Sequence, residues 1–233
     1  MLWVSYILHP NHDSKVIYYH DVSTRYTDMG TDLTMIEKHF DVVRNSGYTL
    51  VDKITEEKDQ IMVCFDDGWA GIYEAKDFFI KQNVRPTIFV AVELIGKQGY
   101  LSLEQIKEMQ TLGFYFESHS WSHLDLTTLN EKELRHELKD SKDQLTKMLG
   151  TDITSICYPI GRFSKMVSEK SVEAGYTEMF ASLPGGYQIN CEGMDVRGRN
   201  LLQYANAKEA YYMINSLSPL YYKRLLNQHL KRD

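Results

Sequence analysis

Two hydrophobic rhythms alternate along the chain. Short, nearly continuous apolar runs rich in β-branched and aromatic residues occur at 16–20, 48–51, 61–65, 87–92, 114–117, 153–158, 177–182 and 194–202. Such runs are expected to be strands buried on both faces. Between them, apolar residues recur at helical spacing. One expected helix follows Asp32 as N-cap, buries Leu33, Ile36, Phe40 and Val43, and stops at Ser46-Gly47. A second spans 72–82. A third opens on a Ser102/Gln105 capping box and ends at Gly113. A fourth, capped by Asn130 with Glu133, carries Leu134, Leu138, Leu145 and Leu149 on its apolar side and ends at Gly150. Further helices are expected at 164–174, 207–216 and 219–230, and a short strand at 2–8.

Strand and helix alternate roughly every 25–35 residues, the pattern of a parallel sheet with crossover helices. No repeat, low-complexity tract or Pro/Gly/Ser linker interrupts it, so one domain over 1–233 is expected. About seven βα units favour an α/β architecture closed, or nearly closed, into a barrel. In barrels and open sheets alike, chemistry gathers at the carboxyl ends of the strands. The polar residues fall there: His20, Asp66 with Asp67, His119, and the Pro159-Ile160-Gly161 turn.

Composition narrows the classes. The chain has 233 residues, 43% hydrophobic and 25% charged, as in ordinary globular proteins. A net charge of −6 argues against nucleic acid or an anionic membrane surface as the main partner. Cys64, Cys157 and Cys191 are odd in number and unpaired in spacing, which reads as buried free thiols in a reducing compartment. No run reaches the ~20 apolar residues of a membrane span. No secretory signal is visible at the N-terminus, so a cytoplasmic location is expected.

The run at 61–65 delivers two adjacent carboxylates, Asp66 and Asp67, into a turn at Gly68. Alone, Asp-Asp-Gly reads as a polar strand-to-helix turn. His119 and His123, four apart directly after a strand, change that reading. Two imidazoles and one aspartate of the strand-end pair make a three-ligand zinc-type site with an open position. Without a metal, the same groups could form an ion-pair network. With a metal held there, the second aspartate is placed to take a proton from the water that the metal activates. Collapse of a tetrahedral intermediate needs an acid on the leaving-group side, a task that suits histidine at neutral pH. Hydrolysis of an amide or ester is the economical reading.

Phe65-Asp66-Asp67-Gly68, His119-Ser120-Trp121-Ser122-His123 and Tyr158-Pro159-Ile160-Gly161 together resemble the three main motifs of polysaccharide deacetylases, carbohydrate esterases of the NodB-homology type with a distorted (β/α) barrel. The resemblance implies Asp66 as general base, and Asp67, His119 and His123 as ligands of a divalent metal, usually zinc. It implies the Ile160 backbone amide as an oxyanion donor. Many members carry an arginine two residues before the motif proline, where this chain has Cys157; Arg199 is similar to a late-strand arginine used instead, with Arg197 as competitor. The usual C-terminal Leu-x-His is missing, and His229 reads as a surface residue. Tyr19-His20 resembles the branch in which the first strand supplies the acid, so His20 is expected in that role; a packed strand-end histidine is the alternative. Trp69, Trp121 and Tyr158 are candidate substrate-binding aromatics, although core packing explains such residues equally well. The implied activity is removal of N-acetyl groups from an amino sugar, with an O-acetyl esterase or a noncatalytic saccharide-binding protein as alternatives.

Overall fold

The computed structural model describes residues 12–22, 28–191 and 194–215. The strand expected at 2–8, the helix at 219–230 and His229 lie outside them. Among the described residues ten strands form one sheet: β1 Lys15–Tyr19, β2 Thr49–Val51, β3 Gln60–Phe65, β4 Thr87–Val90, β5 Tyr115–Ser118, β6 Ser155–Cys157, β7 Glu178–Phe180, β8 Gln188–Cys191, β9 Met194–Arg197 and β10 Asn200–Leu201. Their order is β10-β1-β3-β4-β5-β6-β7-β9-β8, with β2 beside β3. Every pairing is parallel except the β8–β9 hairpin.

The strand expected at 194–202 is interrupted. Gly198 and Arg199 separate β9, which pairs with β7, from β10, which pairs with β1. This interrupted strand therefore joins the two flanks of the sheet and makes a distorted (β/α) barrel of about seven parallel strands.

Side-chain parity explains why the strands are apolar throughout. Val16 and Tyr18 of β1, Met62 and Cys64 of β3, Phe89, Cys157 and Phe180 form one small cluster. Their strand neighbours Ile17, Tyr19, Ile61, Val63 and Phe65 belong to a second, larger cluster with the helices. Alternate residues thus fill the barrel or meet the helical layer. Cys64 and Cys157 are buried free thiols.

Helix boundaries follow local chemistry. Asp32 caps Leu33–Asn45 by accepting from the Thr34 N–H. Both expected capping boxes are present, Ser102 with Gln105 and Asn130 with Glu133. Ser164 caps Lys165–Ala174, which ends at left-handed Gly175. Two expected helices are broken. The stretch 72–82 divides at Ala75 into Gly71–Glu74 and Lys76–Lys81. The helix from Glu131 to Leu149 contains a π turn, His136–Asp140, between α segments Glu131–Arg135 and Ser141–Leu149. None of the described helices is long and apolar enough to cross a membrane.

Candidate active site

Strand parity carries β1 and β3 into the site. His20 follows Val16 and Tyr18 on the inward face of β1, and Asp66 follows Met62 and Cys64 on that of β3. Their carboxyl ends align, because Tyr19 pairs with Phe65 and the Asp66 N–H donates to the Tyr19 carbonyl at 2.9 Å. Beyond Asp66 the chain turns sharply through Asp67 (φ +69°) and Gly68 (φ +76°). A Cβ at Gly68 would lie 2.8 Å from Cγ1 of Val90, so the position is closed to larger residues.

Asp66 and Arg199 form a buried fork-to-fork pair. Nη1 donates to Oδ1 at 2.6 Å and Nη2 to Oδ2 at 2.8 Å. The guanidinium is 4.1 Å from the centroid of Tyr18 and 5.7 Å from that of Phe89, so it caps the barrel interior. Burial alone would raise the Asp66 pKa, but the Arg199 charge and its hydrogen bonds outweigh this and hold the carboxyl below its ordinary range. Cys157 adds a weak contact, with Sγ 3.8 Å from Asp66 Oδ2; burial pushes its thiol well up, so it remains a donor. Arg197 points elsewhere, to Asp195 at 2.7 Å and over the Tyr187 ring. The strand break is what turns Arg199 inward.

Asp67 gathers the two histidines. Its Oδ1 lies 3.3 Å from His119 Nε2 and 3.1 Å from His123 Nε2. His119 Nδ1 faces the Cys157 carbonyl at 2.8 Å. A carbonyl only accepts, so Nδ1 carries the hydrogen and Nε2 presents a lone pair toward Asp67. Two acceptors then face each other, and Asp67 Oδ1 is buried with no hydrogen-bond partner among the described residues. That arrangement suits a cation between them, and the three ligand atoms lie within 4.8 Å of one another. Burial opposes ionisation of Asp67; hydrogen bonds and positive charge at the two imidazole nitrogens outweigh it and hold the carboxyl well below the usual range, a role that a cation between them would take over. The other oxygen, Oδ2, accepts the Trp69 indole N–H at 3.0 Å.

His20 is fixed by a residue the sequence did not suggest. Oε1 of Gln203 accepts the His20 backbone N–H at 3.2 Å, which identifies that atom as oxygen, and it lies 2.6 Å from His20 Nδ1. Nδ1 therefore donates, and Nε2 is left for a second proton. His20, Asp66, Asp67, His119, His123 and Arg199 all line one cavity of about 540 Å3. Its apolar wall includes Tyr18, Met29, Pro184, Leu201 and Met213.

Ile160 also lines this cavity, half-exposed, with φ +61°. A β-branched residue in the left-handed region is strained by roughly 1–3 kcal/mol, a cost that concentrates at functional turns. Tyr158 reaches the cavity but is fully buried, stacked on Phe163 and donating to Ser171 Oγ.

Neither Trp69 nor Trp121 is among the residues that line this cavity. Trp69 orients Asp67 and stacks on Tyr100 at 4.2 Å. Trp121 packs on His136 and lines a separate cavity with Glu93 and Leu129.

Comparison with known proteins agrees with this geometry. Residues 53–179, more than half of the chain, match the polysaccharide deacetylase family model; the match includes Asp66, Asp67, His119, His123 and the 159–161 turn. The Bacillus subtilis protein named "Putative polysaccharide deacetylase YxkH" is 30% identical over 185 residues, 73% of this chain; the chain spans 64% of that relative's length. Among solved structures, a polysaccharide deacetylase from Bacillus cereus superposes with a TM-score of 0.75 at 24% identity, covering 87% of this chain and 69% of that one. The Streptococcus pyogenes deacetylase PplD, in complex with acetate, gives 0.72 at 22% identity, covering 89% of this chain and 100% of that one. With its family-model match running through strands β3 to β7 and its barrel shared with these structures, the chain belongs to the polysaccharide deacetylase family.

Proposed function

We propose that this chain is a metal-dependent hydrolase that removes N-acetyl groups from an amino sugar in a surface polysaccharide or its precursor. The observation that carries the reading is the convergence on one cavity of a charge-paired carboxylate, a three-donor cluster and an oriented histidine. Asp67, His119 and His123 would hold the cation, and the two-imidazole, one-carboxylate set suits zinc. When bound, such an ion polarises an acyl carbonyl and acidifies water.

The remaining work falls to the chain itself. Asp66 takes the proton of the attacking water; Arg199 keeps the carboxylate ionised and aims its oxygens. The Ile160 backbone N–H, presented by the strained turn, donates to the oxyanion. His20, held through Nδ1 by Gln203, delivers a proton from Nε2 to the departing nitrogen, and acetate leaves. The apolar wall around Leu201 and Met213 suits the acyl methyl group.

The test is acetate release from N-acetylated chitooligosaccharides and, in parallel, from O-acetylated xylan, each with and without chelator. Release from the first substrate that stops on chelation and returns with zinc supports the reading. Release from xylan alone makes the chain an O-acetyl esterase, and no release from either makes it a saccharide-binding protein. His119→Ala should lower zinc content, measured by elemental analysis, to well under half the wild-type value; unchanged content would remove His119 from the ligand set. His20→Ala should lower kcat by about 10²–10⁴, the usual scale for a general acid. Near-normal turnover would pass that role to another group.

A further inference from the structure

Glu137 is a buried carboxylate that the proposed chemistry does not use. It sits in the π turn of the Glu131–Leu149 helix and is 3% exposed. Its Oε2 accepts the backbone N–H groups of Trp121 and Ser122, both at 2.9 Å, and its Oε1 accepts the Ser122 hydroxyl. All three donors belong to the loop between His119 and His123.

That loop is an unfavourable conformation for its residues. Ser120 (φ +67°) and His123 (φ +62°) are both left-handed without being glycine. Such conformations persist where surrounding contacts over-determine them. One set of contacts comes from the chain after β4, where the Val92 and Glu93 N–H groups donate to the carbonyls of Ser120 and Trp121 at 3.3 and 2.9 Å. Those bonds hold the loop's acceptors. Ser118 Oγ and Ser120 Oγ accept the N–H groups of Ser120 and His123, and Glu137 holds the two between them, filling the concavity made by the consecutive Trp121 and Ser122 N–H groups. The extra residue of a π turn re-aims the side chains within it, and such turns recur at functional sites.

We infer that Glu137 is a positioning residue that fixes the span between the His119 and His123 imidazoles and thereby sets the affinity of the Asp67-His119-His123 cluster for its cation. This rests on the metal reading of that cluster. The carboxylate touches neither imidazole; it acts through the Trp121 and Ser122 backbone.

The experiment is zinc titration of chelator-stripped full-length chain in competition with an indicator, at a temperature well below unfolding, for wild type, Glu137→Ala, Glu137→Gln and Asp67→Ala. Glu137→Ala should weaken zinc binding by about 10–100-fold, the scale for groups that orient metal ligands. Glu137→Gln should weaken it less, because its amide oxygen still accepts from the two backbone N–H groups. It also carries the test if the alanine variant does not fold. A purely structural role would lower the thermal midpoint and leave zinc affinity of the folded chain unchanged, and that result would overturn the inference. Wild type that binds no more tightly than Asp67→Ala would instead remove the metal reading, and this inference with it.

Discussion

Asp66→Asn should lower kcat by about 10²–10⁴ or more while zinc content stays at the wild-type level, the scale being that of a general base. Asparagine preserves the shape of the carboxylate and one acceptor for Arg199, but it can neither take a proton nor match the guanidinium charge. The three donors of the neighbouring cluster are untouched, since Asp66 faces Arg199 and Asp67 faces the histidines. Turnover on an acetylated oligosaccharide and elemental analysis on the same preparation read both quantities. Loss of zinc together with activity would mean that the roles of the two aspartates are exchanged.

Removing the other half of the pair should act on stability and on pH dependence together. Arg199→Ala leaves a carboxylate buried without its partner, which costs about 3–5 kcal/mol. For a chain of this size that lowers the thermal midpoint by roughly 6–20 °C. In the intact protein the folded Asp66 pKa lies below its unfolded value. The pair therefore stabilises the fold fully above the unfolded pKa of about 4, and this contribution fades as pH falls through the lower folded value. Without Arg199, burial dominates and the base protonates at higher pH. The acid limb of kcat/KM should consequently move to higher pH, while Arg199→Lys should recover part of the shift, because lysine restores charge but not the planar fork. An acid limb that stays in place in the alanine variant would show that Arg199 does not tune the base.

Much of this was legible in the sequence, for local reasons. The strands were visible because a barrel strand is apolar on both faces, and the helix starts because Asp32, Ser102 and Asn130 cap through contacts only two or three residues away. Asp67, His119 and His123 were brought together by motif spacing, and in the structure one ligand atom of each lies within 4.8 Å of the others. What was missed depends on distant contacts. Strand β8 was not seen, because Gln188-Ile189-Asn190-Cys191 is too short and too polar to stand out as an apolar run. The break at Gly198-Arg199 was hidden inside an apparently continuous strand. Gln203 gave no signal at all, since its partner is 183 residues away. Glu137 did leave a trace: it falls three residues after Leu134, on the buried side of its helix, where an acidic residue has to find donors. Trp69 and Trp121 stand outside the cavity lining, because an aromatic ring beside a conspicuous motif looks the same in sequence whichever way its loop carries it.

The interrupted last strand has a consequence for how the protein comes to be active. Asp66 and Arg199 are 133 residues apart, and loop closure over such a span is entropically slow to complete. A chain emerging from the ribosome owns every donor of the cation cluster once His123 is out, but its base has no counter-charge until residue 199 has been synthesised and docked between β7 and β1. On the proposed mechanism, competence for hydrolysis is thus withheld until the ring of strands shuts.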